Sequence, residues 1–438
     1  AARNRLTYLF DEGKFTELDA YAAAGDSLAG VITAFGYVEG NPVYAFSQDV
    51  TVKDGALTEA QAKKIAKVYA KTGVPVVGIF DSYGADVSDG SKALNAYGEL
   101  LMWTSNLSGV VPQIAVVAGT CAGCAAMLAE SADFTVIAKD AELYVAPNAN
   151  IKNSAENAAE NGTAAVVCED DKAAVEAAKN ILTKLPQNNL SPVPMYEFAD
   201  PTEAVGDDAD GIAKAVCDGD SVTELNAEYG KASYTALATL GGATVGVVAT
   251  NKTGDKLTSA DCSKIARFVR TCDAYAIPVV TFVDTEGFKA DDDTEAYGAV
   301  KDMAKLCHAY AEATTIKLAV VTGKAYGPAF IALAGKGSNA DLSFALDTAV
   351  ISALAPVTAV EFLQHDELKG AADLTAARNT LADKFAKENA SAAVAAKNGC
   401  VDGIIAKNEI RQTLMDSIEV MAGKRISRLP KKHSNIQL

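Results

Sequence analysis

Within this 438-residue chain, the residues most suggestive of chemistry are Cys121 and Cys124, a C-x-x-C pair inside "VVAGTCAGCAAM". Such a spacing can mark a redox couple, half of a metal site, or nothing beyond chance. No second C-x-x-C or C-x-x-H exists to complete a zinc site, and the only histidines are His308, His365 and His433. A His-based metal site or a Ser-His-Asp triad therefore has little to work with. The other six cysteines (Cys168, Cys217, Cys262, Cys272, Cys307 and Cys400) stand singly, as suits reduced thiols better than a disulfide framework. The backbone offers a different chemistry. The stretch reads as a strand that breaks at Gly119 and restarts as an alanine-rich helix. A helix start presents free N–H groups with the positive end of the dipole behind them, and can hold a phosphate or an oxyanion. Neither the phosphate-loop nor the G-x-G-x-x-G pattern is present. The plainer reading is a tight turn whose small residues permit close packing.

The elements around this turn occur twice. "LTEAQAKKIAKVYAKTGVPVVGIFDSYG" in the first half answers "LTSADCSKIARFVRTCDAYAIPVVTFVDTEG" in the second, so that Ile65 matches Ile265 and Asp81 matches Asp284. "IAVVAGTCAGCAAM" answers "LAVVTGKAYGPAFI", with Gly119 against Gly323. "NPVYAFSQDVTV" and "ATVGVVATN" read as strands. Thr58 is placed to cap a helix that stops at Gly73. "VPVVGIFDSYG" and "IPVVTFVDTEG" are continuous apolar runs ending in Asp and Gly, as buried parallel strands feeding a site loop would be. The expected architecture is α/β, two similar domains related by internal duplication: 1–190, a linker over 191–220 marked by "LPQNNLSPVP", and 221–438. Two domains also suit the length.

Composition narrows the partners. With 56 acidic against 39 basic residues the net charge is −17, which argues against nucleic acid or anionic lipid. The one basic run is C-terminal, "GKRISRLPKKHSNIQL". No stretch approaches the roughly 20 apolar residues of a membrane helix. The first residues lack a secretory signal pattern, so a cytoplasmic location is expected.

Taken together, "LFDEGKFTELD", "YAFSQDVTV", "KTGVPVVGIFDSYGA", "SGVVPQIAVVAGTCAGCAA", "ARFVRTCDAYAIPVVTFVDTEGF", "AYAEATTIKLAVVTGKAYGPAF", "ADLSFALDTAVI" and "KRISRLPKKHSNIQL" make the chain resemble the carboxyltransferase subunit of biotin-dependent acyl-CoA carboxylases and decarboxylases. The resemblance runs in order over essentially the whole chain and is weaker near 147–160 and 356–395. It implies a crotonase-like fold in each half, with acyl-CoA on the first and biotin on the second, and an active site formed between halves of two subunits in a hexamer or large dimer. It also implies two backbone oxyanion holes, for the thioester enolate and for the ureido oxygen of biotin, and no metal in this subunit. The family's first hole falls on Gly123 and Cys124, beside Gly84, Ala85 and Ala122. Its second falls on Pro328 and Ala329, after Gly327 and beside Gly287, Phe288, Tyr326 and Ile331. Cysteine keeps its N–H, but proline has none, leaving Gly327 or a neighbouring turn to supply a second donor. Asp86 stands where the family commonly has arginine, and reads either as a reversed charge contact with the CoA phosphates or another subunit, or as a solvated loop acid. Asp81 and Asp284 read as turn-capping carboxylates.

No "A-M-K-M" biotin-attachment sequence and no ATP-binding glycine loop occurs. Biotin is therefore expected on a separate carboxyl carrier protein, loaded by a biotin carboxylase or unloaded by a membrane decarboxylase subunit. Two other readings compete. A biotin-independent crotonase-like acyl-CoA enzyme is motivated by Pro328, and a non-catalytic scaffold subunit by the altered turns.

Overall fold

The computed structural model describes residues 1–25, 27–146, 154–203 and 206–438. Residues 147–153, within the stretch of weaker resemblance, and 204–205 of the expected linker lie outside the described residues. The chain divides into two compact units, Ala1–Pro194 with Leu225–Tyr229, and Met195–Glu224 with Gly230–Leu438.

The first unit opens with α1 (Ala2–Leu9), β1 (Phe15–Leu18) and a small ribbon of β2 (Ala23–Ala24) and β3 (Ser27–Leu28). There follow β4 (Val31–Val38), β5 (Asn41–Gln48), α2 (Glu59–Lys71), β6 (Val76–Ser82), α3 (Ser91–Leu107), β7 (Gln113–Ala122) and α4 (Cys124–Glu130). The unit ends with β8 (Phe134–Ala138), β9 (Glu142–Tyr144), α5 (Ser154–Glu160), β10 (Val166–Cys168) and α6 (Asp171–Thr183). The main sheet runs β1-β4-β5-β6-β7-β8-β10, with β9 paired to the end of β7. It is parallel from β5 onward and antiparallel at its β1-β4-β5 edge. Every residue of β6 is buried, as its unbroken apolar run requires.

The second unit repeats this plan. It comprises α7 (Ala209–Val216), β11 (Thr223–Leu225), β12 (Tyr234–Leu240), β13 (Ala243–Ala249), α8 (Ser259–Ala274), β14 (Val279–Thr285), α9 (Asp292–Ala296), α10 (Ala299–Glu312), β15 (Lys317–Tyr326), α11 (Pro328–Ala334), β16 (Leu342–Leu346) and β17 (Val350–Ser352). An arm of α12 (Pro356–Leu363), α13 (His365–Lys369), α14 (Leu374–Asn389) and α15 (Ala392–Lys397) precedes β18 (Gly403–Ile405) and α16 (Ile410–Met421). The sheet order β11-β12-β13-β14-β15-β16-β18, with β17 on the end of β15, mirrors the first sheet. Its core joins Val247, Val280, Phe282 and Val320 with Ile212 and Leu414 of the covering helices. The segment expected as a linker is not bare chain: residues 209–216 form α7, whose Ile212, Ala213 and Val216 enter that core.

Local signals set the helix boundaries. The hydroxyl of Thr58 accepts the Gln61 N–H at 3.1 Å and starts α2. Its counterpart Thr258 forms a reciprocal capping box with Asp261 at the start of α8. Such caps satisfy orphan helix donors and are each worth about 1 kcal/mol.

Candidate functional site

In both units the site begins with a bulge. Phe80 of β6 faces Val117 of β7, yet Ser82 faces Cys121, so β7 takes up two more residues than β6 over the same rise. In the second unit Val283 faces Val321 while Thr285 faces Ala325, the same excess. The strand-end aspartates hold these bulges. Asp81 Oδ1 accepts the Thr120 N–H at 3.1 Å, and Asp284 Oδ1 accepts the Lys324 N–H at 2.9 Å. Each carboxylate lies so close to the neighbouring strand that only glycine fits there. A Cβ on Gly119 would lie 2.3 Å from Asp81 Oδ1, and one on Gly323 would lie 2.3 Å from Asp284 Oδ1. The two acids therefore cap the adjacent strand rather than their own turns.

Past the bulge the chain turns into a helix through a glycine with positive φ, Gly123 (φ 59°) before α4 and Gly327 (φ 62°) before α11. The N–H groups of these glycines were expected to face ligand, and the structure corrects this. Gly123 N–H donates to the Tyr144 carbonyl at 2.9 Å, and Gly327 N–H donates to the Ser352 carbonyl at 2.9 Å. Each extends the ladder to the short strand β9 or β17 by one rung. The open donors lie one residue on. Among the described residues nothing accepts the N–H of Cys124 or Ala125 in the first unit, or of Ala329 in the second. Pro328 occupies the first position of α11 and brings no N–H. Gly327 thus cannot replace the missing donor.

A second loop meets each turn. Leu57 bridges to Ala85 by donating to the Gly84 carbonyl at 2.8 Å and accepting from the Asp86 N–H at 2.9 Å. In a parallel bridge the central residue's own N–H points the other way, so the Ala85 N–H has no backbone acceptor among the described residues. Leu257 bridges to Phe288 in the same manner, through the Gly287 carbonyl and the Lys289 N–H. The loops abut the turns: a Cβ on Gly84 (φ +109°) would lie 3.1 Å from the Ala122 carbonyl, and one on Gly287 (φ +122°) would lie 3.3 Å from the Tyr326 carbonyl. The structure therefore gathers Gly84, Ala85, Ala122, Gly123 and Cys124 at one turn. At the other it gathers Gly287, Phe288, Tyr326, Gly327, Pro328 and Ala329. Ile331 stands on α11 with its side chain 53% exposed, whereas Tyr326 is buried.

Cys121 and Cys124 are both free. Burial, reinforced by Glu130 and Asp81, pushes the Cys121 thiol well above its usual pKa, so it stays protonated and unreactive. Among the described residues no three His, Cys, Asp or Glu side chains cluster as a cation would need. Asp86 also departs from expectation, being only 7% exposed. It accepts from the Ser88 N–H and hydroxyl, which hold its carboxyl below the usual range, and from the Asp89 N–H, so it shapes the loop after Ala85.

A further residue, unsignalled in the sequence, contacts the acid that holds the first bulge. Arg5 of α1 is buried and donates through Nη1 to Asp81 Oδ2 at 2.8 Å and through Nε to Asp171 Oδ2 at 3.0 Å. Burial opposes its charge, but the hydrogen bonds and charges of Asp81 and Asp171 leave its pKa raised.

A carboxyl transferase domain model matches residues 1–436. This chain belongs to the carboxyl transferase family. The methylmalonyl-CoA decarboxylase subunit alpha of Propionigenium modestum is 35% identical, over 100% of this chain and 93% of its own. The propionyl-CoA carboxylase carboxyltransferase subunit of Haloferax mediterranei is 33% identical over the same shares. Among solved structures, the transcarboxylase 12S hexamer with methylmalonyl-CoA and methylmalonic acid bound matches with a TM-score of 0.94 and 31% identity, over 100% of this chain and 92% of that one. Both halves of this carboxyl transferase are therefore crotonase-like, and the chain is an acyl-CoA carboxyltransferase component.

Proposed function

We propose that this carboxyl transferase moves a carboxyl group between biotin, held on a separate carrier protein, and the α-carbon of a short acyl-CoA of the propionyl or methylmalonyl class. The supporting observation is the pair of matched turns, each bearing backbone N–H groups without acceptors among the described residues, in a chain of this family. Loss of the carboxyl group from a malonyl-type thioester leaves an enolate. The N–H groups of Ala85, Cys124 and Ala125 would stabilise its oxygen in the first unit, where the acyl-CoA is assigned. Phe288 and Ala329 would serve the biotin ureido oxygen in the second. Biotin supplies the acceptor or source of the carboxyl group. Removing one such donor typically costs about 10²–10³ in rate.

The catalytic groups are thus the N–H donors of Ala85, Cys124, Ala125, Phe288 and Ala329, with Gly123 and Gly327 shaping the turns. The proposed partners are a biotin carboxyl carrier, a biotin carboxylase or membrane decarboxylase subunit, and further copies of this chain, with a cytoplasmic location. No helix among the described residues is long and apolar enough to cross a membrane. The test is carboxyl exchange between methylmalonyl-CoA or malonyl-CoA and free biotin. Exchange is expected, and its absence with every short acyl-CoA overturns the proposal.

One observation favours a second reading. With Pro328 lacking an N–H and that of Gly327 bonded to Ser352, the second turn offers fewer donors than the first. Acyl-CoA turnover in the complete absence of biotin would mark a biotin-independent crotonase-like enzyme.

A further inference from the structure

The two turns are braced by different chemistry. In the second unit an amide holds the strand-end acid: Asn251 Nδ2 donates to Asp284 Oδ2 at 3.0 Å and to the Asp207 carbonyl at 2.9 Å. In the first unit a cation does so, and it comes from α1, 76 residues away in sequence. The guanidinium of Arg5 bridges Asp81 at the end of β6 and Asp171 at the start of α6. Asp81 in turn presents its other oxygen to the Thr120 N–H in the bulge, and its own N–H donates to Gln48 Oε1 at 3.1 Å. The bulge ends three residues before the glycine from which the open donors of Cys124 and Ala125 are launched.

We propose that Arg5 is a positioning residue for the first turn, fixing the direction of the Cys124 and Ala125 N–H groups through Asp81 and the β7 bulge. This rests on the reading of that turn as an oxyanion site for the acyl-CoA thioester. Both oxygens of Asp81 are engaged, one by the guanidinium and one by the Thr120 amide, so the carboxylate cannot rotate without breaking one contact. A planar guanidinium holds two carboxylates at a fixed separation, whereas an ammonium is a compact charge on a flexible stem whose donors fix no such angle. The arm therefore sets an angle as well as a charge. Its effect is confined to the first unit, since Asp284 is held by Asn251.

The experiment compares the wild-type chain with Arg5→Lys and Arg5→Met in methylmalonyl-CoA:biotin carboxyl exchange, alongside amide hydrogen exchange over residues 117–127. The expected result is a fall in kcat of about 10²-fold in both variants, the scale of an ångström of misplacement at a site. The KM for biotin should remain at the wild-type value, and the 117–127 amides should exchange faster. Should Arg5→Met fail to fold, Arg5→Lys carries the test, because it retains the counter-charge of Asp81. A wild-type kcat in Arg5→Lys, an equal rise in the KM for biotin, or unchanged amide exchange overturns the inference. A wild-type chain without any carboxyl exchange refutes the functional reading instead, and the amide exchange then decides the positioning role by itself.

Discussion

The N–H of Gly123 donates to the carbonyl of Tyr144 at 2.9 Å, so the residue that makes the turn is not the one that offers its amide. Gly123 supplies the positive φ that swings the chain from strand to helix, and the ladder to β9 takes up its donor. The amides left open among the described residues belong to Cys124 and Ala125.

That division predicts opposite outcomes for two substitutions at one position. Cys124→Gly keeps the N–H and should retain wild-type carboxyl exchange, showing that the sulfur takes no part. Cys124→Pro removes the N–H at the first helical position, where proline is structurally suited, as Pro328 shows in the other unit. Its kcat should fall about 10²–10³-fold, with a melting temperature near that of wild type. A fully active Cys124→Pro would reject the donor role.

Pro328→Gly makes the converse change. It adds a donor beside Ala329 at the turn assigned to biotin, at a first helical position that suits proline structurally. Faster biotin-dependent exchange with an unchanged KM for the acyl-CoA is expected in steady-state assays. An unchanged rate would mean that the second turn works with the donors it already has.

Gly119→Ala and Gly323→Ala each place a Cβ 2.3 Å from a carboxylate oxygen of Asp81 or Asp284. Neither glycine has positive φ, so the effect is steric. Overpacking of this kind costs about 1–3 kcal/mol, measurable as a lower urea midpoint. Because the bulge must shift to relieve the clash, exchange activity should drop in both variants.

Lys317 at the start of β15 gives the chain a pH signature. Its Nζ donates to the Tyr310 carbonyl at 2.6 Å, and burial, followed by the nearby charge of Lys424, lowers its pKa to about 8. An unfolded lysine titrates near 10.4. Between those values the unfolded chain binds more protons, so this residue makes stability rise with pH. Below about pH 8 the unfavourable buried charge acts in full. Urea unfolding from pH 7 to pH 10 should therefore show wild type gaining stability relative to Lys317→Met. A constant difference between the two across that range contradicts the assignment.

Much of the architecture was legible because it is written in local pattern. The unbroken apolar runs of β6 and β14, the cap at Thr58, and the recurrence of Gly119 as Gly323 all express constraints acting within a few residues. A buried parallel strand must be apolar on both faces, and a helix start must satisfy its orphan donors. The gathering of Gly84 with Ala122, and of Gly287 with Tyr326, follows from adjacent parallel strands that end in glycine loops.

Tertiary structure alone decided which donors stay open and what holds them. Tyr144 and Ser352 lie on strands of three residues, too short to announce a pairing partner. Arg5 carries no motif, and it reaches Asp81 and Asp171 across 76 and 166 residues of chain. Asp86 looked like a surface acid until its loop folded around it. The sequence determined that two strand–bulge–helix turns would exist, since backbone conformation and burial are imposed residue by residue. Which amides face a ligand depends on hydrogen bonds between segments distant in the chain, and those are fixed only when the sheet is assembled.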